Sequence, residues 1–351
     1  MAALNLLAVA ATIRRNEMSR STWTRRAAAC AFTALFVGAT TGDAARGAVR
    51  AGGPHWIASG RMIAFQTFVG NNYLDRHLWF MNADGSRKRQ ISAWPASLSG
   101  AVASPSGRLI ADIRDTGDEA VVLIGRVGGP TRRFTIRVPD LEGYDAVVWA
   151  PNEGAVAVAV CCGAGRRFDM IFVVDLRRGV RLVSRDRLSN DESPAWSPDS
   201  QRIAFVTCPQ RGGTCGLATM RPDGSARKAI VRNVRDLDSD SSPEPAWAPS
   251  GREIAYVRTV GVERERRSAH FFRHAIYVVR RDGSDLRRVT TTPFINNVFG
   301  EIPVAWSPES RSLAFIDPRG VATVRVGVNR VRRLTRSRKF GLAQAGISWA
   351  P

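Results

Sequence analysis

The sequence predicts an all-β fold: a six-bladed β-propeller of four-stranded antiparallel blades, its ring closed by the C-terminal strand. Three observations carry this expectation. First, an anchor position recurs at Trp56, Ala103, Trp149, Trp196, Trp247, Trp306 and Trp349, and in most repeats a Ser-Pro or Ala-Pro pair follows it. Successive anchors lie 43 to 59 residues apart, the spacing of a blade with several strands. Second, every anchor but the last is followed seven positions later by an apolar residue that opens a strand: Ile63, Ile110, Val156, Ile203, Ile254 and Leu313. Third, short β-rich runs bounded by Gly, Pro, Asp and Asn dominate the chain, and helical periodicity is hard to find beyond the N-terminus.

The N-terminus reads as an address. Residues 1–44 are expected to form a signal peptide, with Met18 a candidate for the true start. Arg20, Arg25 and Arg26 supply a positive region, Ala27 to Ala39 an apolar run, and Gly42 and Ala44 small residues near a cleavage point. The apolar run is too short to span a bilayer comfortably, so no stable transmembrane span is expected. The Arg pair in "TRRAAA" leaves the general and twin-arginine export routes both open. Residues 45–53 read as a short linker and 54–351 as the propeller. The expected location is periplasmic, cell-wall associated or extracellular.

Export permits disulfides. Removal of Cys30 with the leader leaves Cys161, Cys162, Cys208 and Cys215. In "VTCPQRGGTCGL" a hairpin sets Cys208 opposite Cys215, so these two are expected to be bridged. The adjacent Cys161 and Cys162 read either as a vicinal disulfide or as two thiols, and the spacing does not match a zinc site.

The fourth repeat shows the blade most clearly. "SPAWS" is strand a, "RIAFVT" strand b, "GLATMR" strand c and "RKAIVR" strand d. "PDSQ" turns a into b and "PDGSA" turns c into d; Asp-Gly suits a tight hairpin because both residues tolerate positive φ. The c–d turn recurs as "NADGS" at 82–86 and "RRDGS" at 280–284, with degenerate forms such as "RVGGPT" and "DLRRGV" elsewhere. The Trp anchors Trp56, Trp149, Trp196, Trp247, Trp306 and Trp349 are therefore read as packing residues between blades.

The pattern "ESPAWSPDSQRIAF" followed by an Asp-Gly-Ser turn resembles the TolB-type, WD-like propeller repeat of exported bacterial proteins. The resemblance covers about residues 54–351 and implies fold far more than function. It extends to the propeller part alone, not to the α/β domain that precedes the propeller in TolB.

The ending "GISWAP" at 346–351 supplies the first half of a repeat without its second half. A ring of sheets must join its first and last members or leave an open edge. The C-terminal segment is therefore expected to pair beside "RMIAFQTF" at 61–68, displacing Trp56, which competes for the same slot.

Composition narrows the partners. The net charge is +20, carried almost wholly by Arg, since Lys occurs only at Lys88, Lys228 and Lys339. The arginines are spread through every repeat instead of forming a basic run with interleaved aromatics, which argues against a nucleic-acid partner. The chain lacks a Gly-x-Ser-x-Gly elbow, a Gly-rich phosphate loop, a paired-Cys zinc set and a His-Glu-x-x-His motif, so no catalytic residue and no cofactor is expected.

Four segments read as long loops on one face: 68–77, 233–245, 259–275 and 291–303. They supply the candidate contacts Tyr73, Asp75, His77, Asp236, Asp238, Asp240, His270, Phe271, Phe272, His274, Asn296, Phe299 and Glu301. The alternating Asp236, Asp238 and Asp240 could converge on Ca²⁺, although the loop lacks the Gly and distant Glu of an EF-hand. The expectation is a monomeric, exported, non-catalytic module that binds a protein partner or envelope component through these loops. Two alternatives stand beside it: a lactonase-type propeller enzyme with a divalent metal in its central tunnel, and a binder of an anionic wall polymer through scattered Arg.

Overall fold

The structure is a computed structural model. It describes residues 62–69, 72–82, 84–95, 102–106, 108–115, 119–125, 130–138, 141–162, 168–184, 186, 188–210, 213–236, 244–264, 270–290, 294–296, 304–317, 320–335 and 347–349. Among these residues there are strands and turns but no helix.

The strands fall into six antiparallel sheets. The first holds β1 (Met62–Val69), β2 (Asn72–Asn82) and β3 (Arg89–Pro95). The second holds β4 (Val102–Ala103), β5 (Ile110–Asp115), β6 (Glu119–Gly125) and β7 (Thr131–Arg137). The third holds β8 (Leu141–Trp149), β9 (Ala155–Cys162), β10 (Phe168–Asp175) and β11 (Gly179–Leu182). The fourth holds β12 (Ser189–Trp196), β13 (Ile203–Pro209), β14 (Thr214–Met220) and β15 (Lys228–Asp236). The fifth holds β16 (Ala246–Trp247), β17 (Glu253–Arg264), β18 (His270–Arg280), β19 (Arg287–Arg288) and β20 (Phe294–Asn296). The sixth holds β21 (Val304–Trp306), β22 (Ser312–Asp317), β23 (Gly320–Arg325) and β24 (Val331–Arg333). The last strand, β25 (Ile347–Trp349), returns to β1, with Ile63 opposite Trp349 and Phe65 opposite Ile347. Trp56, the competing anchor, lies outside the described residues.

Successive sheets share their cores. Val122 and Phe134 of the second sheet pack with Trp149 and Val158 of the third. Ala157 and Ile171 of the third pack with Trp196 and Phe205 of the fourth. The fourth and fifth meet through Val206, Leu217, Trp247 and Tyr256, and the fifth and sixth through Val257, Ile276, Trp306 and Phe315. Middle strands are thus covered on both sides, which is why β9 is buried continuously from Ala155 to Cys161 instead of alternating. Cys161 sits inside this run, and Cys208 is bonded to Cys215 across the β13–β14 hairpin.

Three of the Trp anchors do two jobs. Trp149, Trp196, Trp247 and Trp306 are buried. The indole N–H of Trp196 donates to the Val148 carbonyl of the preceding sheet at 3.0 Å, Trp247 to Ala195 at 3.2 Å and Trp306 to Ala246 at 2.9 Å. In every case the acceptor immediately precedes the neighbour's own Trp. The anchor therefore buries a large apolar ring and satisfies its polar tip across the sheet interface.

The turns after the anchors are tied in the same repetitive way. The Ser after the anchor closes its own turn: Ser197 Oγ accepts the Arg202 N–H at 2.9 Å and Ser307 Oγ accepts that of Ser312 at 3.0 Å. The next link crosses between sheets. The N–H of Asn152 donates to Ser200 Oγ at 3.1 Å, that of Ser250 to Ser310 Oγ at 2.9 Å, and that of Ser106 to Glu153. The accepting residues Glu153, Ser200 and Ser310 all have φ near +58°, the left-handed conformation that aims their side chains at the neighbouring turn.

Candidate functional site

Because strands alternate direction, the a–b and c–d turns leave one end of every sheet and the b–c and d–a connections leave the other. These are called the turn end and the hairpin end below. The two ends are built differently.

At the hairpin end the fifth sheet grows beyond its own frame. β17 and β18 pair from Glu253–Arg280 out to Arg264–His270. Their flanking strands are short: β16 reaches only Ile254 and Ala255, and β19 only Tyr277 and Val278. Past that point β20 joins on the β18 side, with Phe272 opposite Asn296 and His274 opposite Phe294. The result is a three-stranded extension. A register shift between Thr259 and Gly261 leaves Val260 unpaired in the ladder and 37% exposed, the geometry of a β-bulge that bends a strand and re-aims a side chain.

This corrects the reading of the long segments as loops. Residues 259–275 and 291–303 contain β17, β18 and β20, and 68–77 is mostly the β1–β2 hairpin. β15 likewise runs into 233–245 as far as Asp236, which stands opposite Thr214. The interspersed Arg and Glu masked stretches rich in Val and Phe, whose shapes suit a pleated surface.

The candidate contacts scatter over this end. Tyr73, Asp75 and His77 lie on β2, His77 opposite Thr67 and Asp75 opposite Pro95. His270, Phe271 and Phe272 lie on β18 opposite Arg264, Glu263 and Val262. Asn296 lies on β20. Register brings Phe272, His274 and Asn296 together; Tyr73, Asp75 and His77 belong to a different sheet. His274 is 1% exposed, not a loop residue open to a partner, and burial pushes its pKa down to about 4. Asp238, Asp240, Phe299 and Glu301 lie outside the described residues. Among the described residues no three His, Cys, Asp or Glu side chains are grouped as a metal would require.

The turn end holds cavities instead. One, of about 1020 Å³, opens between the third and fourth sheets. Arg177, Arg178 and Arg181 of the third sheet and Arg221 of the fourth line it, with Trp196 and Gln201 also on its wall. Three carboxylates share the lining, and each is held by backbone or hydroxyl donors. Asp175 accepts the N–H groups of Arg177 and Arg178 at 2.8 and 2.9 Å. Asp223 accepts the Ser225 N–H at 2.9 Å, and the Ser225 contacts hold its pKa below the usual carboxylate value. Burial works to raise the pKa of Glu153, but hydrogen bonds from the Ser106 N–H and O–H outweigh it and the carboxyl is held low.

A second cavity, of about 1080 Å³, lies among the turns of the fourth, fifth and sixth sheets. It presents Arg252, Arg280, Arg281 and Arg311 against Asp199, Glu253, Asp282 and Glu309. Neither group of arginines stood out in a chain where Arg is everywhere. The available signal was the recurrence of basic residues beside c–d turns in neighbouring repeats, as in "DLRRGVR" and "RPDGS".

One charge pair is internal to the fourth sheet. Arg227 grips Asp191 with both terminal nitrogens, at 2.6 and 2.9 Å, bonds Thr207 Oγ1 at 2.8 Å and lies 4.7 Å over the Phe205 ring. Asp191 is fully buried. A buried carboxylate held bidentately by guanidinium is costly to break from either side, and this pair fastens the sheet.

Comparison with known proteins agrees with this architecture. TolB from Acinetobacter baumannii superposes with a TM-score of 0.51 at 14% identity, over 83% of this chain and 67% of that one. An oligogalacturonate lyase in complex with manganese superposes at 0.50 with 11% identity, over 79% of each chain. The fold is a TolB-type β-propeller. In sequence, the chain is 27% identical over 156 residues to an uncharacterized protein of Agrobacterium fabrum, a match covering 44% of this chain. The match spans about half the length, 48%, of that curated relative. No family model matches the chain.

Proposed function

We propose that the chain is a closed, six-bladed, exported propeller that serves as a non-catalytic docking module for a partner protein or envelope component. The three-stranded extension of the fifth sheet, with the exposed Val260 at its bulge, carries this reading. It is a regular, hydrogen-bonded projection from a rigid body, and function on such scaffolds concentrates in the segments that project.

Closure is supported by contacts between the sixth and first sheets that repeat those between other neighbours. A Cβ added to Gly224 would meet the Val183 carbonyl of the preceding sheet, and one added to Gly283 would meet that of Ile230. Gly85 of the first sheet approaches Leu334 of the sixth in the same way. Lys228 Nζ donates to the Asp282 carbonyl of the next sheet at 3.0 Å, and Arg332 of the sixth donates to the Asp84 carbonyl of the first at 3.3 Å. Export is supported by the Cys208–Cys215 bridge together with the leader-like residues 1–44.

The test is crosslinking in cells followed by purification, with wild type against Val260→Asp and Leu286→Asp. A partner recovered with wild type and with Leu286→Asp, but reduced about ten-fold or more with Val260→Asp, supports docking at the extension, since a charge forced into an apolar contact costs at least that much. Equal recovery with all three contradicts it.

A further inference from the structure

The cavity between the third and fourth sheets has an unusual charge arrangement. Arg177, Arg178, Arg181 and Arg221 line it, and all four are exposed. Among the described residues, none of the four guanidinium groups belongs to an ion pair or donates a hydrogen bond. The carboxylates beside them take up little of this donor capacity: Asp175, Asp223 and Glu153 accept from backbone and hydroxyl donors, and Arg221 acts on Asp223 through its charge without a hydrogen bond. Four arginines against three carboxylates leave the cavity positive, in a chain that carries +20 overall.

We propose that this cavity binds a polyvalent oxyanion, a ligand carrying two or more phosphate or carboxylate groups. Guanidinium forks match the paired oxygens of both groups. The arginines come from two sheets, three from one wall and one from the other, so a ligand must present charge in more than one direction to engage them. A volume of about 1020 Å³ is far larger than one small anion needs and is at the upper end of the range for cofactor-sized ligands. Asn152 and Gln201, also on the wall, supply neutral polar contacts.

The second turn-end cavity is an internal control. It has the same number of arginines but four carboxylates. Its formal charges therefore balance, and one lining arginine, Arg280, also lies 3.6 Å from Asp285. Overall positive charge alone would favour anions equally at both places; the proposed site would not. The inference does not depend on the docking surface, which lies at the other end of the strands.

The experiment is calorimetric titration of the full chain with inorganic tripolyphosphate and, separately, with citrate, at about 0.15 M salt, where diffuse attraction is screened. Saturable binding is expected, weakened about ten-fold or more by Arg178→Ala with Arg221→Ala through loss of two charge-assisted contacts. Arg252→Ala with Arg311→Ala, which removes the same charge from the balanced cavity, is expected to stay within about two-fold. Thermal melts of both double variants confirm that they are folded. Binding of tripolyphosphate alone assigns a phosphate ligand, and binding of citrate alone a carboxylate one; either supports the site. Absence of saturable binding to both probes, or equal weakening by the two double variants, overturns it.

Discussion

The two ends of the sheets obey different rules. At the turn end one hydrogen-bond scheme repeats from sheet to sheet, with Trp indoles and Ser hydroxyls reaching the neighbour's backbone at equivalent positions. Toward the hairpin end, among the described residues, one tie recurs inside each of three sheets, the N–H groups of Ile171, Ile276 and Val321 donating to the Ser184, Thr290 and Thr335 hydroxyls, but the strands themselves differ in length. The β17–β18 hairpin runs to 12 and 11 residues, whereas β22 and β23 of the next sheet have six each. Repetition belongs where sheets must be held together, and departure from it belongs where no neighbour imposes a constraint. The turn end is then a scaffold that carries a charged cavity, and the hairpin end is where we propose that a partner docks.

Loss of a Trp anchor should be the most damaging single change. Trp247→Ala deletes a buried ring and leaves the Ala195 carbonyl without its indole donor; a loss of about 3–5 kcal/mol is expected in urea denaturation. A loss below about 1 kcal/mol would show that the anchors are not what holds the sheets together.

His274 comes next, as a buried residue where β18 pairs with both β17 and β20. Its folded pKa of about 4 lies below the ordinary 6.5, so the unfolded chain takes up the proton first as pH falls. The stability of the neutral form is therefore complete above about pH 6.5 and lost progressively down to about pH 4. The whole span amounts to about 3 kcal/mol. Denaturation midpoints measured across this window should fall in wild type and fall distinctly less in His274→Phe. Parallel curves would remove His274 from the account.

Gly224 tests the close approach of the turns. Its φ is +85°, close to the +87° of Gly85, and an added Cβ would come within 2.5 Å of the Val183 carbonyl oxygen. Gly224→Ala should cost about 2 kcal/mol, a backbone and contact penalty together, whereas Gly179→Ala at the same φ but in open space should cost less. Ser200→Ala, which removes the acceptor of the Asn152 N–H, should cost about 1 kcal/mol. Val260→Ser, at the other end, should stay within about 0.5 kcal/mol. A larger effect there would mean that the extension is structural.

Much of the fold was legible because the repeat writes the same physics several times. The seven-residue step from Trp196 to Ile203 and the Asp-Gly-Ser turns locate strands and hairpins without any long-range information. The hairpin end was harder. Arg and Glu between the apolar residues of 259–275 obscured two long strands, because charge at such spacing breaks the apolar run that marks a core strand. His274 was read as open to a partner because one sequence does not say that it falls on the middle strand of a three-stranded extension and is buried there. The cavity arginines were invisible for a different reason: Arg178 and Arg221 are 43 positions apart in the chain and meet only because two c–d turns are neighbours in space.

The most direct test of a division of labour between the ends uses the four large apolar side chains that stand exposed among the described residues. Leu188 and Val260 lie at the hairpin end, 67% and 37% exposed, and Leu286 and Val328 at the turn end, 46% and 60% exposed. A photoreactive amino acid placed at each in turn, followed by irradiation of cells, compares the two ends at matched exposure. The expected result is a discrete protein adduct from position 260, or from 188 and 260 together, with none from 286 or 328. Adducts from the turn-end positions alone, or equally from all four, would contradict it.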